Sequence, residues 1–127
     1  MTNAAFIQRM LDDAFATLDY RALAAHLAED VVFEVTSPGE AGAAEACGPD
    51  AVVDYFTSLG DIVSFWRVRC YADGERVVAV GAERFTVPRY GVTLGGEFAL
   101  LLHVCGDRIT RFFILEDLSR SRALEGV

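Results

Sequence analysis

Residues 63–118 read VSFWRVRCYADGERVVAVGAERFTVPRYGVTLGGEFALLLHVCGDRITRFFILEDL, and the periodicity of this stretch decides the fold. Four extended runs follow one another at residues 63–72, 76–88, 94–105 and 108–118. Their spacing has a period near two, as expected of strands with two distinct faces. The breaks fall at Asp73-Gly74, around Tyr90-Gly91 and at Gly106-Asp107. Aspartate–glycine and glycine–aspartate pairs between apolar runs are hairpin signals. The stretch therefore predicts a four-strand antiparallel meander.

Upstream of Gly60 the period is helical. Phe6, Ile7, Met10, Leu11, Ala14, Phe15 and Leu18 recur on one side, with Gln8, Arg9, Asp12 and Asp13 on the other. Thr2 or Asn3 is a candidate N-cap. Tyr20, Leu23, Ala24 and Leu27 mark a second, shorter helix, followed by the β-branched strand VVFEV at 31–35. Residues 37–48 read as a loop. Gly48-Pro49-Asp50 opens a third helix through Val52, Val53, Tyr55, Phe56 and Leu59, which stops at Gly60. Helices followed by an antiparallel meander predict an α+β domain spanning residues 1–127.

Composition narrows the functions. The 127 residues include 11 basic and 19 acidic side chains, for a net charge of −8, and every basic residue is arginine. Schiff-base chemistry and a P-loop both need a lysine, so neither is expected. The acidic balance argues against nucleic acid and against anionic membrane surfaces. Cys47, Cys70 and Cys105 are odd in number and lack a CxxC spacing, which predicts free thiols in a reducing cytoplasm. The N-terminus does not read as a signal peptide. The longest apolar run, 98–103, is too short for a bilayer. His26 with Glu29, and His103 with Cys105, lack a third ligand, so no metal site is expected.

Three segments carry a resemblance: LAEDVVFEV at 27–35, GPDAVVDYF at 48–56 and GDRITRFFILEDL at 106–118. Together with the element order they make the chain similar to the NTF2-like superfamily, in its SnoaL-like and ketosteroid-isomerase-like branch. The resemblance implies a cone, a curved and mostly antiparallel sheet packed with three N-terminal helices around an apolar pocket. It also implies a fold that hosts isomerases, cyclases, dehydratases, epoxide hydrolases and non-catalytic binding modules, so the site must decide among them. The ketosteroid-isomerase base position falls at Val35, its tyrosine near Leu11 or Met10, and its neutral aspartic acid near Leu100. These side chains hold no proton to transfer, so that mechanism is not expected. Of the arginine and two aspartates of limonene-epoxide-hydrolase-like members, only the arginine is matched, at Arg84. Thr86 and Ile114 stand at the aspartate positions.

Alternation along the strands, phased on these matches, gives the expected pocket lining. Val78, Val80, Ala82, Arg84 and Thr86 would face inward from the second meander strand. Phe98, Leu100 and Leu102 would do so from the third, and Phe112, Ile114 and Glu116 from the last. Leu11, Val35, Phe56 and Trp66 complete the apolar surface. The two charges suggest a polar cluster in which Arg84 stabilises developing negative charge while Glu116 or His103 moves a proton. A structural ion pair is the plainer alternative.

Two functions follow. One is cofactor-free isomerisation, cyclisation or dehydration of a hydrophobic, carbonyl- or ring-bearing small molecule. The other is a non-catalytic ligand-binding or dimerisation module. The opposite sheet face, with Phe85, Leu101, Phe113 and Leu115, is apolar enough to predict a homodimer.

Overall fold

The computed structural model describes residues 2–36, 44–57, 63–87 and 91–116, with side chains at all of these except 36, 44, 63–67, 83–87, 92–94 and 116. Helix α1 spans Asn3–Thr17. Of the two candidate caps Thr2 is the one used: its Oγ1 accepts a bond from the Ala5 N–H at 3.1 Å. The helix ends where Leu18 turns left-handed (φ 59°) and donates its N–H to the Ala14 carbonyl at 2.8 Å. Leu18 is thus a cap and 49% exposed, not the last member of the apolar stripe.

The expected second helix is a 3-10 turn, η1 (Tyr20–His26). Threefold winding places Tyr20, Leu23 and His26 on one side. Leu27, expected on this helix, instead opens strand β1 (Leu27–Thr36). Helix α2 (Pro49–Thr57) begins at the expected proline, with Asp50 in its first turn near the positive end of the helix dipole. Its expected end at Leu59 and Gly60 lies outside the described residues.

Strands β3 (Val63–Asp73), β4 (Arg76–Val87), β5 (Val92–Cys105) and β6 (Arg108–Glu116) form the predicted antiparallel meander. Gly74 (φ 61°) and Gly106 (φ 66°) take the first position of the two tight turns, where a side chain would be strained. Two features differ from the sequence reading. Strand β2 (Ala44–Cys47) lies within what reads as a loop. AEAC has little strand propensity of its own and is recruited by pairing with β1 from Val32↔Cys47 to Val35↔Ala44. Strand β1 also joins β6 in parallel, Phe33 opposite Phe112 and Val35 opposite Ile114. Such a pairing joins segments far apart in the chain, so local pattern does not announce it. The result is one curved mixed sheet, ordered β2-β1-β6-β5-β4-β3, with the helices against one face.

Helix α1 lies along β3, the open edge of the sheet, and buries Ile7, Met10, Leu11 and Ala14. Gln8, which the sequence places on the solvent side, reaches that edge instead. Its Nε2 donates to the Val68 carbonyl at 3.1 Å and its Oε1 accepts from the Cys70 N–H at 3.2 Å. One side-chain amide thus replaces a missing strand partner. Asn3 donates to the Gly74 carbonyl at 2.8 Å, tying the start of α1 to the β3–β4 turn. At the other end of the meander, the Arg108 guanidinium donates to the Ala25 carbonyl and holds the β5–β6 turn against η1. No helix among the described residues is long and apolar enough to cross a membrane.

Removing the Gln8 amide leaves two backbone groups of β3 without their protein partner. Gln8→Ala is expected to cost ~1–3 kcal/mol, read by urea denaturation, and to raise amide hydrogen exchange at Cys70. An unchanged midpoint and exchange rate would show that water serves this edge equally well.

Candidate functional site

The helix-facing side of the sheet is defined by burial. On β4, Val77 is 1% and Ala79 0% exposed, whereas Val78 and Val80 are 37% and 41% exposed. On β5, Phe98, Leu100, Leu102 and Val104 are buried and Leu101 is 39% exposed. On β6 and β1, Phe112, Ile114, Val31 and Phe33 are buried. These residues align in rows, Leu100 opposite Ile114 and Ala79, Leu102 opposite Phe112 and Val77.

Rings from the helices pack against one another above this surface. Phe15 meets Tyr20 at 5.7 Å, and Tyr20 stacks on Phe56 at 5.4 Å with 19° between the planes. Phe56 and Phe33 each lie 6.1 Å from Phe112, and Phe33 lies 5.5 Å from Tyr55. Edge-on and offset arrangements of this kind favour tight aromatic packing. Burial raises the Tyr20 hydroxyl above its ordinary pKa. Burial, with a smaller contribution from the Asp12 carboxylate, pushes the Cys70 thiol up to about 11. All three cysteines are unbridged.

The inward apolar residues named from sequence are placed as follows. Leu11, Phe56, Phe98, Leu100, Phe112 and Ile114 are in the core, and Val35 is half-buried on the inner side. Val80 and Ala82 are not. Both are exposed and line a depression of about 410 Å³ on the outer face, beside Arg69, Tyr71 and Glu97. The phase of β4 is therefore opposite to the expected one, and Val77, Ala79 and Gly81 take the inner positions. The physical reason is that RVVAVGA is apolar at positions of both parities, so alternation carries no contrast there. The matched arginine set the phase in its stead.

Arg84 shares the strand parity of Val80 and Ala82; its backbone pairs with Phe65 and Gly95. Glu116 pairs with Phe98, Thr86 with Val63 and Thr93, and Trp66 with Glu83. The side chains of Arg84, Thr86, Glu116 and Trp66 lie outside the described ones, as does any Arg84–Glu116 cluster. His103 is half-buried on the outer side, between Arg76 and Arg111 on the neighbouring strands.

Glu83 is a further candidate, which the sequence reading does not name. The pairing of β4 with both neighbours is unbroken from Arg76 to Thr86, so residue 83 keeps the inner parity of Val77 and Ala79. Glu83 stands opposite Gly96, and Glu116 opposite Phe98, two residues further along β5. Two carboxylate-bearing residues thus occupy inner register positions at the same end of the sheet. The Asp73-Gly74 hairpin signal, which sets the β3–β4 register, held the information needed to find it. Among the described residues, no group of three metal-ligating side chains comes together.

The family model of the SnoaL-like domain matches residues 7–112. No curated protein matches the chain. An NTF2-like protein of unknown function from Burkholderia pseudomallei is 23% identical, with a TM-score of 0.77 over 98% of each chain. A candidate polyketide cyclase from Xanthomonas campestris is 22% identical, with a TM-score of 0.76 over 97% of this chain and 98% of its own. An LEH-like epoxide hydrolase from M. tuberculosis is 17% identical, with a TM-score of 0.73 over 97% and 89%. At these identities the likeness establishes the fold.

Two outcomes check this placement. Ala79→Ser buries a hydroxyl on the inner face and is expected to cost ~1–3 kcal/mol, whereas Ala82→Ser on the outer face stays within about 0.5 kcal/mol; chemical denaturation reads both. Cys70 is expected to be alkylated by iodoacetamide at pH 8 well after the exposed Cys47 and Cys105, because few of its thiols are ionised there. Mass-spectrometric mapping of the labelled peptides gives the order.

Proposed function

We propose a function for a chain that belongs to the SnoaL-like domain family: it binds a hydrophobic, carbonyl- or ring-bearing small molecule and catalyses an isomerisation, cyclisation or dehydration on it by proton transfer alone. The observation that carries this reading is the shared inner register of Glu83 and Glu116 beyond an apolar floor of Phe98, Leu100 and Ile114. Reactions of this class need a base to take a proton beside a carbonyl and an acid to return one elsewhere. Carboxylates on separate strands suit that division of labour. The apolar floor supplies burial for a ring system and excludes water from the reacting carbon. Candidate polyketide cyclases and an epoxide hydrolase of the same fold support a pocket for small organic molecules.

In this reading Glu116 keeps the proton-transfer role expected from sequence, and Glu83 joins it. His103, on the far side of the sheet, takes no part. A second reading is favoured by one observation. The rings of Tyr20 and Phe56 pack over Phe112 on the inner face. A binding module without catalysis needs nothing more.

Deuterium exchange beside the carbonyl of a panel of cyclic ketones, followed by proton NMR in D2O, separates the readings. The wild type is expected to accelerate exchange of at least one ketone. Glu116→Gln and Glu83→Gln are each expected to lower that rate by about 10²–10⁴-fold without shifting the melting temperature. Ketones that bind without exchanging would favour the binding module. Loss of exchange in Arg84→Ala but not in Glu83→Gln would restore the expected arginine and remove Glu83 from the site.

A further inference from the structure

The outer face of the sheet carries a depression of about 410 Å³ that the proposed reaction does not use. Val80 and Ala82 on β4 form its floor, Arg69 and Tyr71 on β3 one wall, and Glu97 on β5 the other. Strand alternation puts these side chains on the same face: Arg69 pairs with Val80, Tyr71 with Val78, and Glu97 with Ala82. Ala82 accounts for the hollow, since it offers only a methyl group where Glu97 beside it and Arg69 diagonal to it carry long side chains. Leu101, Phe113 and Leu115, which the sequence reading assigns to contact with a second copy, do not line it.

The two walls carry opposite charges that do not meet. Arg69 and Glu97 are both exposed. Neither forms an ion pair among the described residues, where the ion pairs are Arg21–Asp50 and Arg108–Asp107. The register explains the gap: strand β4 lies between them, and they stand two residues out of line. Two strand spacings and a two-residue offset set their Cα atoms about 12 Å apart. Exposed apolar surface lies beside them, for Val80 is 41% and Tyr71 61% exposed.

We propose that this depression binds a small zwitterion, an amino acid whose carboxylate and ammonium stand at opposite ends of a short apolar chain. The planar guanidinium of Arg69 donates two parallel hydrogen bonds to the carboxylate. The Glu97 carboxylate accepts from the ammonium, and the chain between them lies on Val80 and Ala82 with Tyr71 at its side. The charge pattern selects this class. A simple carboxylate or phosphate would bring a like charge to Glu97, and a simple amine would bring one to Arg69. An α-amino acid holds its two charges too close together to serve both walls well. Because the site is open to water, its affinity is about millimolar.

Four compounds test this by NMR titration of the backbone amides: 6-aminohexanoate, its isomer norleucine, hexanoate and hexylamine. In 50 mM NaCl, 6-aminohexanoate is expected to shift the Val80, Ala82 and Glu97 amides saturably and to bind about tenfold tighter than each of the other three. Its binding is expected to weaken severalfold in 500 mM NaCl. Arg69→Glu and Glu97→Arg are each expected to abolish saturable binding, because one end of the ligand then meets a like charge. The exchange Arg69→Glu/Glu97→Arg is expected to restore it, since a zwitterion fits the swapped walls end for end. Circular dichroism establishes that the variants fold, and Arg69→Gln and Glu97→Gln, each expected to bind about tenfold more weakly, replace any reversal that does not. Norleucine, hexanoate or hexylamine binding as tightly as 6-aminohexanoate, or an exchanged variant that binds nothing, would overturn the proposal. So would β4 amides that none of the four compounds moves, the outcome expected if a second copy of the chain covers this face.

Discussion

The unbroken register of β3, β4 and β5 governs which side of the sheet every residue occupies. Side chains alternate with a period of two, so a slip by one residue would exchange the two faces. The register runs without a bulge from Val63↔Thr86 to Asp73↔Arg76, and from Arg76↔His103 to Val87↔Val92. It places Val77, Ala79 and Phe98 under the helices and leaves Val78, Val80 and Leu101 outside. The buried rows on which the aromatic core packs follow from that phase.

Register needs a sheet whose ends are held. Strand β3 is long and lies at an edge, and an unpaired edge is a template for unwanted pairing. The chain covers it with α1, and Gln8 answers two of its backbone groups in the manner of a strand. The short β2 closes the other edge, beside β1. Parallel pairing of β1 with β6 then brings Phe33 to Phe112, and Phe56 packs on the same ring. Packing of the helices, the sheet and the rings is thus one cooperative arrangement. The face left without such cover is the outer one.

Much was legible in the residues. The change of period after Gly60, the turn glycines at 74 and 106, and the proline at 49 each encode local geometry through backbone sterics. They placed β3 to β6 and the start of α2 within a few residues. Alternation phased on the family match puts Phe98, Leu100, Leu102, Phe112 and Ile114 inward, and all five are buried. In RVVAVGA, apolar at both parities, the same phasing puts Val80 and Ala82 on the wrong face. Gln8 read as a solvent residue because glutamine on a helix is ordinarily one, and nothing nearby in sequence announces an exposed strand edge sixty residues later.

By itself, then, the amino-acid sequence determined the class of the protein, the order of its elements and the greater part of its core, since these rest on short-range sterics and on hydrophobic periodicity. Only the tertiary structure decided the phase of β4, the parallel seam between β1 and β6, the recruitment of AEAC as a strand, and the facing of Arg76, His103 and Arg111. Each depends on which strands lie side by side. That is a property of pairings between distant segments, and no single segment carries it.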